Sequence, residues 1–330
     1  MALLPPFFLD TVVAIGEGDD ASKRQWIGSG FIYGRLLPDQ SQGKRYQLFL
    51  ITNKHVFRGR SDIYVKFNSA LDPTSKDYRA LLLSRNGKPT WIGHPNAGVD
   101  VAALSLNANF LQAENRKFAF FESDSHVMGK ESMKKHSVTE GDRVFVLGFP
   151  MAMVSAERQY VICRGGVIAR VRDYLEGKAT DFLIDSTVFP GNSGGPVITC
   201  PSVVAITGTE AISRADLIGI VKSYVPYREV AVSPQTGMPR MMFEENSGLS
   251  AVESLDSIVQ TVQLAAKRIK MRAAVSNYRA RKAARPPTPT SVGPPMAPSA
   301  GSPPDTPKSE TEKPKTPESR PAACAATRRR

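Results

Sequence analysis

Residues 186–198 read "STVFPGNSGGPVI", and they set Ser193 among Gly191, Gly194 and Gly195, with Pro190 and Pro196 and apolar β-formers on either side. A glycine-rich hairpin turn would accept many such spacings and would not need the serine. A nucleophilic hydroxyl does need this setting, because it requires a base to take its proton and an oxyanion site for the carbonyl oxygen it attacks. The backbone N–H groups of Gly191 and Ser193 can turn toward one point if no side chain obstructs the bend.

The base must come from four histidines, His55, His94, His126 and His136, all of which precede Ser193. Gly191-Asn192-Ser193-Gly194-Gly195 also fits the elbow of α/β-hydrolases, but there the histidine follows the serine. A subtilisin-like order needs an acid before the histidine. Asp10, Asp19, Asp20 and Asp39 are available, none of them in a buried-looking run. The order His, Asp, Ser remains. His55 follows the apolar run "LFLIT" at a strand end, whereas His94 and the two later histidines read as surface residues. Asp100 heads the apolar run "DVAALSL", where burying a carboxylate is costly unless it is paired. A histidine N–H would pair it.

From about residue 8 to 235, short runs rich in Val, Ile, Phe and Tyr recur between turn residues, among them "TVVAIG", "YQLFLIT", "DRVFVLGF" and "LIGIVKSYV". This pattern predicts an all-β sandwich or barrel. A polar stretch over about 108–137 divides the strands into two groups, so two barrels joined by a linker are expected, at about 8–120 and 138–251. Val252, Leu255, Ile258, Val259, Val262 and Ile269 then recur at three- and four-residue spacing, predicting a closing amphipathic helix over 252–270. Residues 271–285 continue as a basic helical extension. Residues 286–330 are dense in Pro, Ser and Thr and are expected to be disordered.

The net charge of +12 is concentrated at one end. Residues 1–266 hold 28 Lys/Arg against 27 Asp/Glu, and residues 267–330 hold 15 against 4. Contact with SH3-like or anionic partners is therefore an expectation for the tail and not for the body. Three scattered cysteines do not make a disulfide framework. The N-terminal apolar residues lack a basic flank, and no run has the length of a membrane span. A cytoplasmic setting is the expectation.

Taken together, "GSGFIYG", "LFLITNKHVF", "DVAAL", "GDRVFVLGFP", "GGVIARV", "DSTVFPGNSGGPVI", "LIGIV" and "NSGLSAVESLDSIV" resemble, in order, the trypsin-like (chymotrypsin-fold) serine peptidases, and among them the HtrA/Deg-type branch without a recognisable PDZ domain. The resemblance covers roughly residues 8–270. It implies two six-stranded antiparallel barrels within a peptidase domain over 1–270. It also implies acyl-enzyme chemistry on Ser193, with His55 as general base, Asp100 orienting the imidazole, and the Gly191 and Ser193 amides as oxyanion hole. No metal or organic cofactor is implied, and the substrate is a polypeptide.

Zymogen-type relatives carry aspartate before the serine, and Asn192 stands there instead, so no activation by N-terminal cleavage is expected. Thr187, six residues before the nucleophile, is placed at the base of the specificity pocket. Without a carboxylate there, small or medium apolar side chains should be preferred. Gly219, Val221, Lys222 and Ser223 are expected along the pocket wall and the substrate backbone. The other reading is a catalytically silent scaffold that keeps the barrels and binds partners through its basic, proline-rich tail.

Overall fold

In the computed structural model, which describes residues 2–283 apart from 42, 203–206, 208 and 210, the run "YQLFLIT" forms a strand with both faces buried. Alternation divides its side chains. Phe49 and Ile51 join Val12, Ala14 and Phe31 in one apolar cluster. Leu48 and Leu50 join Val13, Ile15 and Ile32 in another. The run is apolar without interruption because neither face meets water.

The N-terminal half comprises β1 (Val12–Glu17), β2 (Gln25–Leu36), β3 (Tyr46–Thr52), β4 (Asp62–Asn68), β5 (Ser75–Leu81), β6 (Ile92–Gly93), β7 (Ala102–Ser105) and β8 (Phe121–Glu122). They form an 8-stranded sheet in the order β5-β4-β1-β2-β3-β7-β6, with β8 pairing β2. The expected closed barrel is not seen in this half among the described residues. β6 has only two residues, and the polar β5, "SKDYRAL", pairs with β4 alone, so the ends of the sheet are not joined by a ladder. Charged residues on β5 are what an open edge needs to resist further pairing.

The C-terminal half comprises β9 (Arg143–Gly148), β10 (Ile162–Arg170), β11 (Asp181–Asp185), β12 (Pro196–Thr199), β13 (Leu217–Val232) and β14 (Pro239–Ser254). These strands close into one six-stranded barrel in the order β10-β11-β14-β13-β12-β9. Its interior holds Val146, Ile168, Phe182, Ile184, Ile218 and Val252. Leu147, Phe149, Ile198, Leu217 and Ile220 point out of the barrel into the cluster that contains Phe31 and Phe49. Each large side chain buried there contributes about 1.5–3 kcal/mol.

β14 runs through Ser254, so the terminal helix begins at Leu255 and not at 252; it ends at Ala283. Leu255, Ile258, Val262, Ala265 and Ala266 form its buried stripe against the cluster shared by the two halves. Beyond it, Met271, Val275 and Tyr278 are exposed. Among the described residues no helix is long and apolar enough to cross a membrane. The tail expected over 286–330 lies outside the described residues.

Candidate active site

The loop carrying Ser193 is a tight double turn. The Asn192 amide donates to the Phe189 carbonyl at 3.0 Å, and the Gly195 amide donates to the Asn192 carbonyl at 2.8 Å. Gly191 and Gly194 have φ of 99° and 88°. A side chain at Gly194 would run into the Ser29 carbonyl oxygen, and one at Gly191 into that of Phe149. Glycine is therefore required twice, by conformation and by space.

Ser29, fully buried on β2, fastens this loop to the N-terminal half. Its amide donates to the Ser193 carbonyl at 2.8 Å. Its hydroxyl donates to the Gly191 carbonyl at 2.7 Å and accepts from the Phe149 amide at 3.0 Å. On the other side, the Gly194 amide donates to the Val221 carbonyl at 3.0 Å. Among the described residues, the Gly191 and Ser193 amides donate to no internal acceptor.

His55 sits on a one-turn helix, Lys54–Phe57, that follows β3 and is anchored by buried Val56 and Phe57. Its Nδ1 lies 2.5 Å from Oδ2 of Asp100, and its amide donates to Oδ1 at 3.2 Å. Both carboxylate oxygens are thus engaged by one residue. Burial alone would push the Asp100 carboxyl up, but the His55 hydrogen bonds and charge outweigh it and hold the group below the usual carboxylate range. With Nδ1–H directed at the carboxylate, Nε2 is left as the basic nitrogen.

The Asp100 backbone is itself held at two points. Its carbonyl accepts from Asn53 Nδ2 at 2.7 Å, and its amide donates to Glu253 Oε1 at 2.7 Å. The same Glu253 oxygen lies 2.9 Å from Lys222 Nζ, which also donates to the Gly98 carbonyl at 3.1 Å. Val221 pairs with Val252 and Ser223 with Ala251, so Lys222 is the extra residue of a bulge and has no cross-strand partner. Burial alone would lower the Lys222 ammonium, but Glu253 and Asp181 hold it above its ordinary value.

His55, Asp100 and Ser193 line one cleft of about 330 Å³. Val188, Phe189, Pro190 and Tyr224 give it apolar walls, with Lys222 and Ser223 beside them. No hydrogen bond joins the Ser193 hydroxyl to the imidazole, a contact that is often long until substrate is present. Thr187 is half-buried and is not one of the wall residues. Val221 is fully buried in the barrel interior, and Gly219 lies flat against the β14 backbone. The remaining histidines have other partners: His94 bonds Gln260, His126 packs on Phe7 and Phe8, and His136 bonds the Ser132 carbonyl.

A family model for the trypsin-like peptidase domain matches residues 28–206, more than half of the chain. The chain belongs to the trypsin-like peptidases. Among curated proteins nothing matches it. The matched part of this trypsin-like peptidase contains Ser29, His55, Asp100 and Ser193, and it stops before β13, β14 and the terminal helix.

Two supports of this peptidase's cleft were not anticipated from sequence. Ser29 had a signal, since a small polar residue between two glycines in an otherwise apolar strand suggests close backbone approach. Glu253 had none, because alternation along "SAVES" turns it away from the barrel interior that Val252 enters, and its partners come from 31 and 153 residues away.

Proposed function

We propose that the chain is a serine endopeptidase of the HtrA/Deg type. The observation that carries this reading is the bidentate grip of His55 on Asp100 in the cleft that Ser193 also lines. Ser193 Oγ attacks the scissile carbonyl carbon while His55 Nε2 takes the hydroxyl proton. The carbonyl oxygen, becoming an oxyanion, is received by the Gly191 and Ser193 amides, which have no other acceptor among the described residues. Collapse expels the amine, which takes the proton from the imidazolium. Water, deprotonated by the same imidazole, then releases the acyl group.

Asp100 orients the ring and stabilises its cation without taking the proton. The apolar walls Val188, Phe189, Pro190 and Tyr224 support cleavage after small or medium apolar side chains, and among the described residues no carboxylate other than Asp100 lines the cleft to select basic ones.

Fluorophosphonate labelling of the full chain, with mass-spectrometric mapping of the adduct, tests the reading. Labelling on Ser193 that is lost in Ser193→Ala and His55→Ala is the expected result. No adduct under conditions that label a control peptidase would overturn it in favour of a silent scaffold.

A further inference from the structure

β13 and β14 outgrow the barrel they close. The partner strands of the barrel leave off near Ile220 and Leu249, yet the β13–β14 ladder continues from Pro226 opposite Asn246 to Val232 opposite Pro239. Every residue from 227 to 245 except Ser233 is exposed. This ribbon nevertheless carries Tyr227, Val230, Met238, Met241, Met242 and Phe243, each close to half exposed or more. Val230 stands opposite Met242 and Glu229 opposite Phe243, so both faces of the ribbon carry apolar side chains. A two-stranded ribbon is marginal in water by itself, and apolar surface of this kind marks a binding site.

Its position indicates what binds. The edge of β13 that faces away from β14 pairs with β12 only as far as Ile220. At Val221 it bonds the nucleophile loop, and through Lys222, Ser223 and Tyr224 it forms the wall of the cleft. The same edge then continues into the ribbon, whose root is tied to the cleft by Asn246 Nδ2 donating to the Val188 carbonyl at 2.6 Å. Pro226, at a bulge, removes one backbone donor from that edge, which shifts the recognition toward side chains. The ribbon carries Arg228 and Arg240 against Glu229, Glu244 and Glu245, with Arg228 and Glu244 paired at 2.9 Å, so it offers no basic face to a nucleic acid or an anionic lipid. Methionines suit a surface that must adapt to many apolar sequences.

We infer that the β13–β14 ribbon is an exosite for extended, apolar segments of unfolded polypeptide, which it feeds along β13 into the cleft. That the bound segment is substrate rests on the peptidase reading; the binding itself does not.

The test uses the full chain carrying Ser193→Ala and a fluorescent, reduced and carboxymethylated lactalbumin as a permanently unfolded probe, with affinity read by anisotropy. A M241S/M242S/F243S variant, and a second in which Asn-Gly replaces residues 227–245, are each expected to bind the probe at least tenfold more weakly while melting within a few degrees of the parent. Unchanged affinity in both would overturn the proposal. So would a parent that sediments as a dimer and becomes monomeric in both variants with affinity unchanged, since the ribbon would then serve a second copy of the chain. Fluorophosphonate labelling of the unmutated chain reports separately on the nucleophile, so a failed peptidase reading and a failed exosite are distinguishable.

Discussion

Lys222 Nζ lies 2.9 Å from Oε1 of Glu253, a carboxylate with no exposure to solvent, and that oxygen also receives the Asp100 amide. The pair joins the closing strands of the barrel to the segment that carries Asp100. Removing only one partner leaves a buried charge uncompensated, which costs about 3–5 kcal/mol. Lys222→Met is expected near the upper end because the carboxylate it strands has no exposure, and Glu253→Gln near the lower end because the lysine it strands is partly exposed. The double variant K222M/E253Q should recover much of that loss, and urea titrations of the two singles and the double measure the coupling directly.

Asp100→Asn tests the orienting role apart from the fold. The amide can keep a hydrogen bond to the ring but favours the wrong tautomer, with Nε2 protonated, and it cannot stabilise the imidazolium. Turnover should fall on the order of 10³–10⁴-fold with KM little changed, as steady-state kinetics on a chromogenic peptide would show. A loss under tenfold would remove Asp100 from the mechanism.

The same carboxylate makes an acid-side prediction. Its folded value is depressed, so its contribution to stability is present above the ordinary Asp value and is lost as pH falls below that value toward the depressed one. Below about pH 4, unfolding free energy should therefore decline less steeply with falling pH in Asp100→Asn than in the parent, as denaturant titrations at several pH values would show.

What was legible in the sequence and what was not follows from the range of each interaction. Ser193, His55 and Asp100 stood out because the chemistry admits few residue types and each lies at the end of an apolar run. The barrel strands "DRVFVLGF" and "LIGIV" were legible because short apolar runs between turn residues report burial locally. The open N-terminal sheet was not, since closure depends on whether β5 and β6 meet, and neither residue pattern encodes that. The ribbon was missed because "REVAV" and "PRMMFEE" have strand-forming residues without a core to impose one apolar face. Glu253 was missed because the groups that make its burial tolerable come from distant parts of the chain.

Gly194→Ala addresses the loop that carries Ser193. The substitution forces an unfavourable positive φ and drives a methyl into the Ser29 carbonyl oxygen and the Thr52 hydroxyl. The loop is held on both sides, by Ser29 and by Val221, and has little room to yield. A loss of about 3 kcal/mol or more is expected. Gly237→Ala supplies the control, because Gly237 also has positive φ but nothing lies within 4 Å of the added methyl. It should cost only about 1 kcal/mol, and thermal melts of the two variants would separate the conformational penalty from the steric one.

Glu140 provides the last test, at a distance from the cleft. Its Oε1 accepts the Val171 and Arg172 amides at 3.0 and 3.3 Å, supplying from 31 residues away the cap that the one-turn helix Arg172–Leu175 lacks locally. Those backbone donors, the Val171 amide foremost, bring its carboxyl down to about 2. A depressed carboxylate stabilises the fold above its unfolded value of 4.5 and loses that contribution as pH falls toward about 2. Glu140→Gln should therefore flatten the decline of stability between those limits. Glu140→Ala should cost about 0.5–2 kcal/mol at neutral pH, the range for losing a helix cap. Urea titrations at pH 7 and pH 3 decide the matter: the deficit of Glu140→Ala relative to the parent must shrink at the lower pH, and a deficit independent of pH would show that packing and not the charged cap is responsible.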